Sequence, residues 1–166
     1  MYRMRFVVSP IVLLLLAGCA GFSGRGLVPG QSTGQEVEAL MGPASDTRKG
    51  ANGETVRYYS REPYGRVIYA ARIGRDGKLI ALEQRLTEGN VAKLRIGSTR
   101  EDEVRELIGP PYRVDAYPRM QREVWTYKMF GGTAEKDLYV QFSPDHVVRE
   151  VMMMDDPEYS ARHTHR

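Results

Sequence analysis

The sequence predicts an α+β protein of two tandem units, each a short helix (or helix pair) on a three-stranded antiparallel sheet. Three observations predict it: a block that recurs at a fixed offset, an apolar stripe at helical spacing within each block, and strand-like runs after each block. The first block runs from Leu27 to Pro43 and the second from Leu94 to Pro111. Glycine (Gly30, Gly97), a hydroxyl (Ser32, Thr99), glutamate (Glu36, Glu103), valine, leucine, glycine and proline return 67 positions apart. Self-similarity at one offset marks a repeat, and two copies are too few for a solenoid. The same offset sets Tyr58 onto Trp125, and a slip of two sets Ile73 onto Phe142 and Leu82 onto Val151.

Within each block Ser32 and Thr99 are the expected helix N-caps, with Gln35 and Asp102 at the third helical position. Val37, Leu40 and Met41, like Val104, Leu107 and Ile108, fall at i, i+3, i+4 and make one apolar stripe. Gly42 and Gly109 are expected to stop the helices in the left-handed region, and Pro43 and Pro110 prevent them from resuming. A helix of two or three turns is not stable alone in water, so it must lie on a sheet. Residues 54–60, 66–73 and 78–86 supply strand-like runs, the middle one alternating Val67, Tyr69, Ala71, Ile73, with Arg75-Asp76-Gly77 as a hairpin turn. Residues 122–129, 137–142 and 146–153 supply the second set, and Thr87 to Leu94 suggests a short capped helical turn between the copies. Residues 27–86 then form the first unit and 87–154 the second. Residues 19–26 read as a flexible linker and 155–166 as a polar, disordered tail.

The leader carries the plainest functional signal. Arg3 and Arg5 precede an apolar run ending in Leu16-Ala17-Gly18-Cys19, the layout of a secretory signal over residues 1–18. Phe6 to Ala17 would span about 18 Å as a helix, against the roughly 30 Å of a bilayer core. Leu16, Ala17, Gly18 and Cys19 resemble a lipobox: the small residues expose the backbone to a peptidase, and the thiol can take a diacylglyceryl group as a thioether. Cys19 is thus the expected lipidation site and the first residue of the mature chain, with palmitate-type acyl chains holding it to a membrane. By resemblance to lipoprotein sorting, Ala20 in place of an aspartate points to the outer membrane, periplasmic side.

Removing Arg3 and Arg5 with the leader leaves 22 basic against 21 acidic residues, so the whole-chain charge of +3 gives no ground for a nucleic-acid partner. Cys19 is the only cysteine, so with it acylated there is no disulfide, no thiol catalysis and no cysteine metal site. His146 falls in a turn position equivalent to Gly77, and His163 and His165 sit near the chain end in no metal-ligand spacing. No nucleophile elbow, P-loop or His-Glu-x-x-His occurs. No enzyme, cofactor or metal is therefore expected. Tyr58, Tyr59, Tyr64 and Tyr69 interleave with Arg57, Arg61, Arg66 and Arg72, residue types favoured at interfaces, though an ordinary solvated face is the simpler reading. The candidate partner-binding residues are Tyr58, Tyr69, Trp125 and Tyr127.

Gly-x-Ser/Thr, then Val, Leu, an apolar residue and Gly-Pro, followed by a Trp/Tyr strand and a strand hairpin, resembles the BamE (SmpA/OmlA) outer-membrane lipoproteins. The second unit carries it through Gly97, Thr99, Val104, Leu107, Gly109, Pro110, Trp125 and Tyr127. The resemblance implies a non-catalytic, lipid-anchored subunit supporting β-barrel assembly or envelope integrity through protein contacts. The family's usual member has one unit where this chain has two. A tandem pair also resembles the secreted β-lactamase-inhibitor proteins, whose paired units form one concave sheet. That alternative predicts an exposed aromatic face running across both units, whereas the BamE-like reading predicts a smaller patch on the second. The shared motif residues are caps, helix stops and core, so they specify the fold rather than a binding site.

Overall fold

A computed structural model describes residues 23–50, 52–61 and 65–158; the lipobox and Cys19 lie outside the described residues. The first unit contains α1 (Gly34–Met41), β1 (Asp46–Lys49), β2 (Thr55–Ser60), β3 (Ile68–Ile73) and β4 (Leu79–Gln84). A short helix α2 (Glu88–Val91), capped by the Thr87 side chain as expected, leads to the second. The second unit contains α3 (Glu101–Ile108), β5 (Arg113–Tyr117), β6 (Arg122–Gly131), β7 (Ala134–Phe142) and β8 (Val148–Asp155). The α+β class and the tandem arrangement hold. Each sheet has four antiparallel strands rather than three, in the order β1-β2-β3-β4 and β5-β6-β7-β8. The added strands are the short edges β1 and β5, whose residues are largely exposed. They have no buried side to generate an apolar alternation.

The helix starts are one residue later than the sequence suggests. Thr33, not Ser32, caps α1: its hydroxyl accepts from Glu36 N–H at 3.2 Å while Glu36 accepts from Thr33 N–H at 2.7 Å. In the second unit Arg100 N–H donates to Glu103 at 2.7 Å. The recurring glutamates are therefore the third helical residues, in place of Gln35 and Asp102. Ser32 and Thr99 do another job, accepting from Val28 N–H (2.9 Å) and Arg95 N–H (2.8 Å) to close the turn before each helix. Gly42 and Gly109 do end the helices with positive φ. Their ψ values of −169° and −174° place them in the extended region open essentially to glycine alone, not in the left-handed helical one.

The two sheets share one repeat geometry. β4 and β8 each carry a register shift at equivalent places, beside Arg72/Ile73 and beside Gln141/Phe142. Gly77 and His146 occupy the same turn position with φ +79° and +63°, so His146 fills the turn as the sequence suggests. Alignment of the first strands differs from the sequence reading. Arg57 pairs with Ala71, and Trp125 pairs with Val140, the counterpart of Ala71. Trp125 therefore corresponds to Arg57, while Tyr58 corresponds to Thr126 and Tyr59 to Tyr127. Between paired equivalents the second hairpin is one residue longer, Val114 to Trp125 against Thr47 to Arg57, and a one-residue slip reverses which face a side chain takes.

That reversal positions the core. One face of sheet β1–β4 packs on α1 through Tyr59, Ala71, Ile73 and Leu79 against Val37 and Met41. Its other face, with Val56, Tyr58, Ile68 and Ala70, joins a second cluster containing Val104 and Ile108 of α3 and Trp125, Tyr127, Leu138, Val140 and Phe142 of the other sheet. α3 touches both sheets. Tyr58 OH donates to Arg105 O at 3.2 Å from one side, and the Arg105 guanidinium lies 4.5 Å from the Trp125 ring centroid on the other. Tyr127 OH donates to Gly109 O at 3.1 Å, and an added Cβ at Gly109 would lie 2.7 Å from Ile68. The order is α1, first sheet, α3, second sheet, with the far face of the second sheet left outermost.

The first and last described residues join this body. Gly24 is buried, Leu27 N–H donates to its carbonyl at 3.0 Å, and a Cβ there would collide with Leu82. The segment from Ser23 is thus not a flexible linker. At the other end Asp155 completes β8 and Asp156 is fully buried, so the polar stretch beginning at 155 is ordered through Glu158.

Candidate functional site

The outer face of the second sheet is built by strand alternation and register. Thr126 stands between Arg113 and Tyr139, which stands beside Met152; Lys128 stands beside Asp137, which stands beside Met154. These two cross-strand rows point away from α3, since the intervening Trp125, Tyr127, Leu138 and Val140 face it. Met152 and Met154 are exposed, and Tyr117, Met120 and Phe130 add exposed apolar area along the same unit. Thr126 is 3% exposed and its buried hydroxyl has no hydrogen-bond partner.

One end of this face is closed by buried charge. Arg66, from the chain entering β3, bonds Glu135 at 2.7 Å and also Asp156. Lys128 bonds Asp137 at 3.0 Å and Asp156 at 3.2 Å. Asp156 thus bridges a cation of each unit. Burial on its own would raise the Asp156 carboxyl; the Glu158 N–H, Lys128 and Arg66 outweigh it and hold the group below its ordinary range. Burial would likewise lower the Lys128 ammonium, and the bonds to Asp137 and Asp156 reverse that and raise it. Tyr139, whose OH donates to Asp137 at 3.2 Å, is raised by burial and by that carboxylate.

A shallow cleft of about 310 Å³ at the opposite end is lined by Glu101, Gln121, Arg122, Glu123, Ser143 and His146. His146 Nδ1 lies 2.8 Å from Glu101, but Ser143 Oγ bonds Asp145 and accepts from Arg149 Nε at 2.7 Å instead of meeting the imidazole. The arrangement is a turn network. No group of three or more His, Cys, Asp or Glu residues poised for a metal occurs among the described residues.

The four residues singled out for partner binding are placed differently from that expectation. Tyr58 (1% exposed), Trp125 (2%) and Tyr127 (0%) lie in the core around α3, and Tyr69 packs against the α1 cluster. Burial removes the first three from any surface: their aromatic character serves packing. Nor is the Tyr/Arg interleaving a solvated face, since Tyr59 faces α1 and Arg66 is a buried ion-pair partner; Tyr64 lies outside the described residues. Sequence reasoning missed Lys128 and Asp156 and read Arg66 as part of a surface row rather than as a buried ion-pair partner. The available signal was Lys128 itself, a cation flanked by Tyr127 and Met129 inside an apolar strand, which requires a buried counter-charge.

No protein-family model matches the chain, and no curated protein matches its sequence. Two solved structures are similar in fold. A DUF4309 family protein (YjgB) from Bacillus subtilis subsp. subtilis str. 168 has 20% identity and a TM-score of 0.32, over 80% of this chain and 84% of that one. A "putative beta-lactamase inhibitor protein" from Streptococcus mutans has 13% identity and a TM-score of 0.32, over 75% of this chain and 83% of that one. The BamE family suggested by the glycine-proline motif is not among these matches.

Proposed function

We propose that this protein is a non-catalytic outer-membrane lipoprotein, anchored on the periplasmic side through Cys19, that supports β-barrel assembly or envelope integrity by protein–protein contacts made with its second unit. The observation that carries the reading is where apolar surface is left open. Among the described residues, eight of the eleven exposed large apolar side chains lie between Tyr112 and Met154. A BamE-like role calls for apolar surface on the second unit, and this distribution supports it. An inhibitor working through a concave face shared by both units would need the inner face of the first sheet, which α3 covers. An inhibitor of another kind would have to work from the second unit alone.

The start of the folded body adds a geometric consequence. Gly24 lies five positions after Cys19, and five extended residues reach at most about 18 Å. A lipidated Cys19 would hold the first unit close to the bilayer.

Fatty-acid labelling tests the anchor: Cys19→Ala should abolish label incorporation and release the protein from membranes, and continued labelling refutes it. Crosslinking in intact envelopes tests the role. Recovery of barrel-assembly subunits supports it, and recovery of a hydrolase instead supports the inhibitor reading.

A further inference from the structure

We propose that β8 is a dimerisation edge, pairing antiparallel with β8 of a second copy of this chain about a two-fold axis at Met152. β8 is an outer strand of its sheet, eight residues long, without proline and exposed at every residue from Arg149 to Asp155 except half-buried Val151. The other outer strands are shorter: β1 has four residues, three of them charged, β5 has five and β4 has six. Val148 already bonds Gly97 and Thr99 on its outer side, so the open edge runs from Arg149 to Asp155, and an open run of this length is a template for another strand.

The backbone and side chains agree on one register. Asp156 N–H donates to Glu135 O at 3.1 Å. Ladder bonds alternate along an antiparallel strand, so Met154 and Met152 also turn their backbone groups toward β7. Val151, Met153 and Asp155 then turn theirs outward. Antiparallel strands place opposite one another residues of the same face and the same bonding class. With Met152 on the axis, Val151 faces Met153 and Arg149 faces Asp155, each pair occurring twice. Shifting the axis to Val151 or Met153 loses the two Arg149–Asp155 pairs. Both ions reach solvent and their present pairs are exchangeable: Arg149 with exposed Asp145 at 2.7 Å, and Asp155, 73% exposed, with half-buried Lys136. A self-complementary strand is what a closed two-fold interface requires, and the product is one eight-stranded sheet.

The test uses the chain from residue 19 onward, which contains every described residue, with Cys19→Ser. Light scattering at about 100 μM should find dimers. Residue 152 would meet itself at a non-hydrogen-bonded site with Cα atoms about 4.5 Å apart, within disulfide reach. Met152→Cys should therefore crosslink under mild oxidation and Glu150→Cys should not. Arg149→Asp should weaken the dimer about tenfold or more, and adding Asp155→Arg should restore it. Met153→Pro removes only an outward N–H, which an edge strand tolerates, and should give a folded monomer. A monomer at every concentration, equal crosslinking at 150 and 152, or an edge that takes up extended peptides while staying monomeric would each overturn the proposal.

Discussion

Removal of the Asp156 carboxylate tests whether the two units are joined by buried charge. Asp156 is fully buried and contacts Arg66, 5% exposed, and Lys128, 7% exposed. Deleting one partner of a buried ion pair costs about 3–5 kcal/mol, because the counter-charge is left desolvated. Here each cation keeps a second carboxylate, Glu135 for Arg66 and Asp137 for Lys128. Asp156→Ala should then fall at the lower end, about 3 kcal/mol. With a urea dependence of about 2 kcal/mol per molar, the midpoint would drop by about 1.5 M. Trp125, the lone tryptophan and buried beside α3, reports the transition by fluorescence. Asp155→Ala, one residue away and exposed, is the control and should cost under about 1 kcal/mol. Linkage fixes the pH dependence. The folded Asp156 carboxyl is held below its ordinary value of 3.8, so its contribution is present above that value and is lost as pH falls through the folded one. Lys128 is raised above 10.5, so its contribution is present below that value and is lost as pH rises through the folded one. The gap between wild type and Asp156→Ala should be widest between these limits and close in acid. Equal stability of Asp156→Ala and Asp155→Ala at neutral pH would refute the buried bridge.

Other substitutions separate the elements. Gly42→Ala and Gly109→Ala share the same strained backbone, but only the second drives a Cβ into Ile68, so it should cost about 1–3 kcal/mol more by urea unfolding. Thr33→Ala should cost about 1 kcal/mol and Ser32→Ala should not act through helix capping, which amide exchange in the first turn of α1 distinguishes. Tyr127→Phe leaves the buried Gly109 carbonyl without this donor and should cost about 1–3 kcal/mol, with the thermal midpoint as readout.

Much of the architecture was legible because it repeats. Caps, helix stops and apolar stripes punctuate both copies, and Gly30/Gly97 and Gly42/Gly109 mark the turns that flank each helix. Three things were not legible, each for a physical reason. The edge strands β1 and β5 bury little, so Asp46–Lys49 and Arg113–Tyr117 show no period-two pattern. The capping residue was misplaced because Ser32 and Thr33 both have hydroxyls, and only the backbone decides which one precedes the first helical turn. The charge bridge joins Arg66 to Asp156 across 90 residues. Local pattern cannot pair ions at that separation, and Asp155-Asp156 reads as ordinary tail polarity.

The one-residue slip between Tyr58 and Trp125 also makes the outer face of the second sheet unlike the matching face of the first. In the first sheet the face that receives α3 carries Val56, Tyr58, Ile68 and Ala70. By strand register the corresponding face of the second sheet carries Val124, Thr126, Asp137 and Tyr139. Thr126 and Asp137 are already buried there, at 3% and 4% exposed, so this face offers a third helix no continuous apolar stripe to pack against. The opposite end is closed as well, since α1 turns Gln35, Glu36 and Glu38 to solvent. Polar outer faces are the devices by which terminal repeats end an array. Growth along the stacking direction is thereby blocked at both ends, while the lateral edge at β8 keeps its methionines and its outward backbone groups. The sequence difference between the two copies thus assigns them different work: the first supplies a seat for α3, and the second keeps an open face and edge.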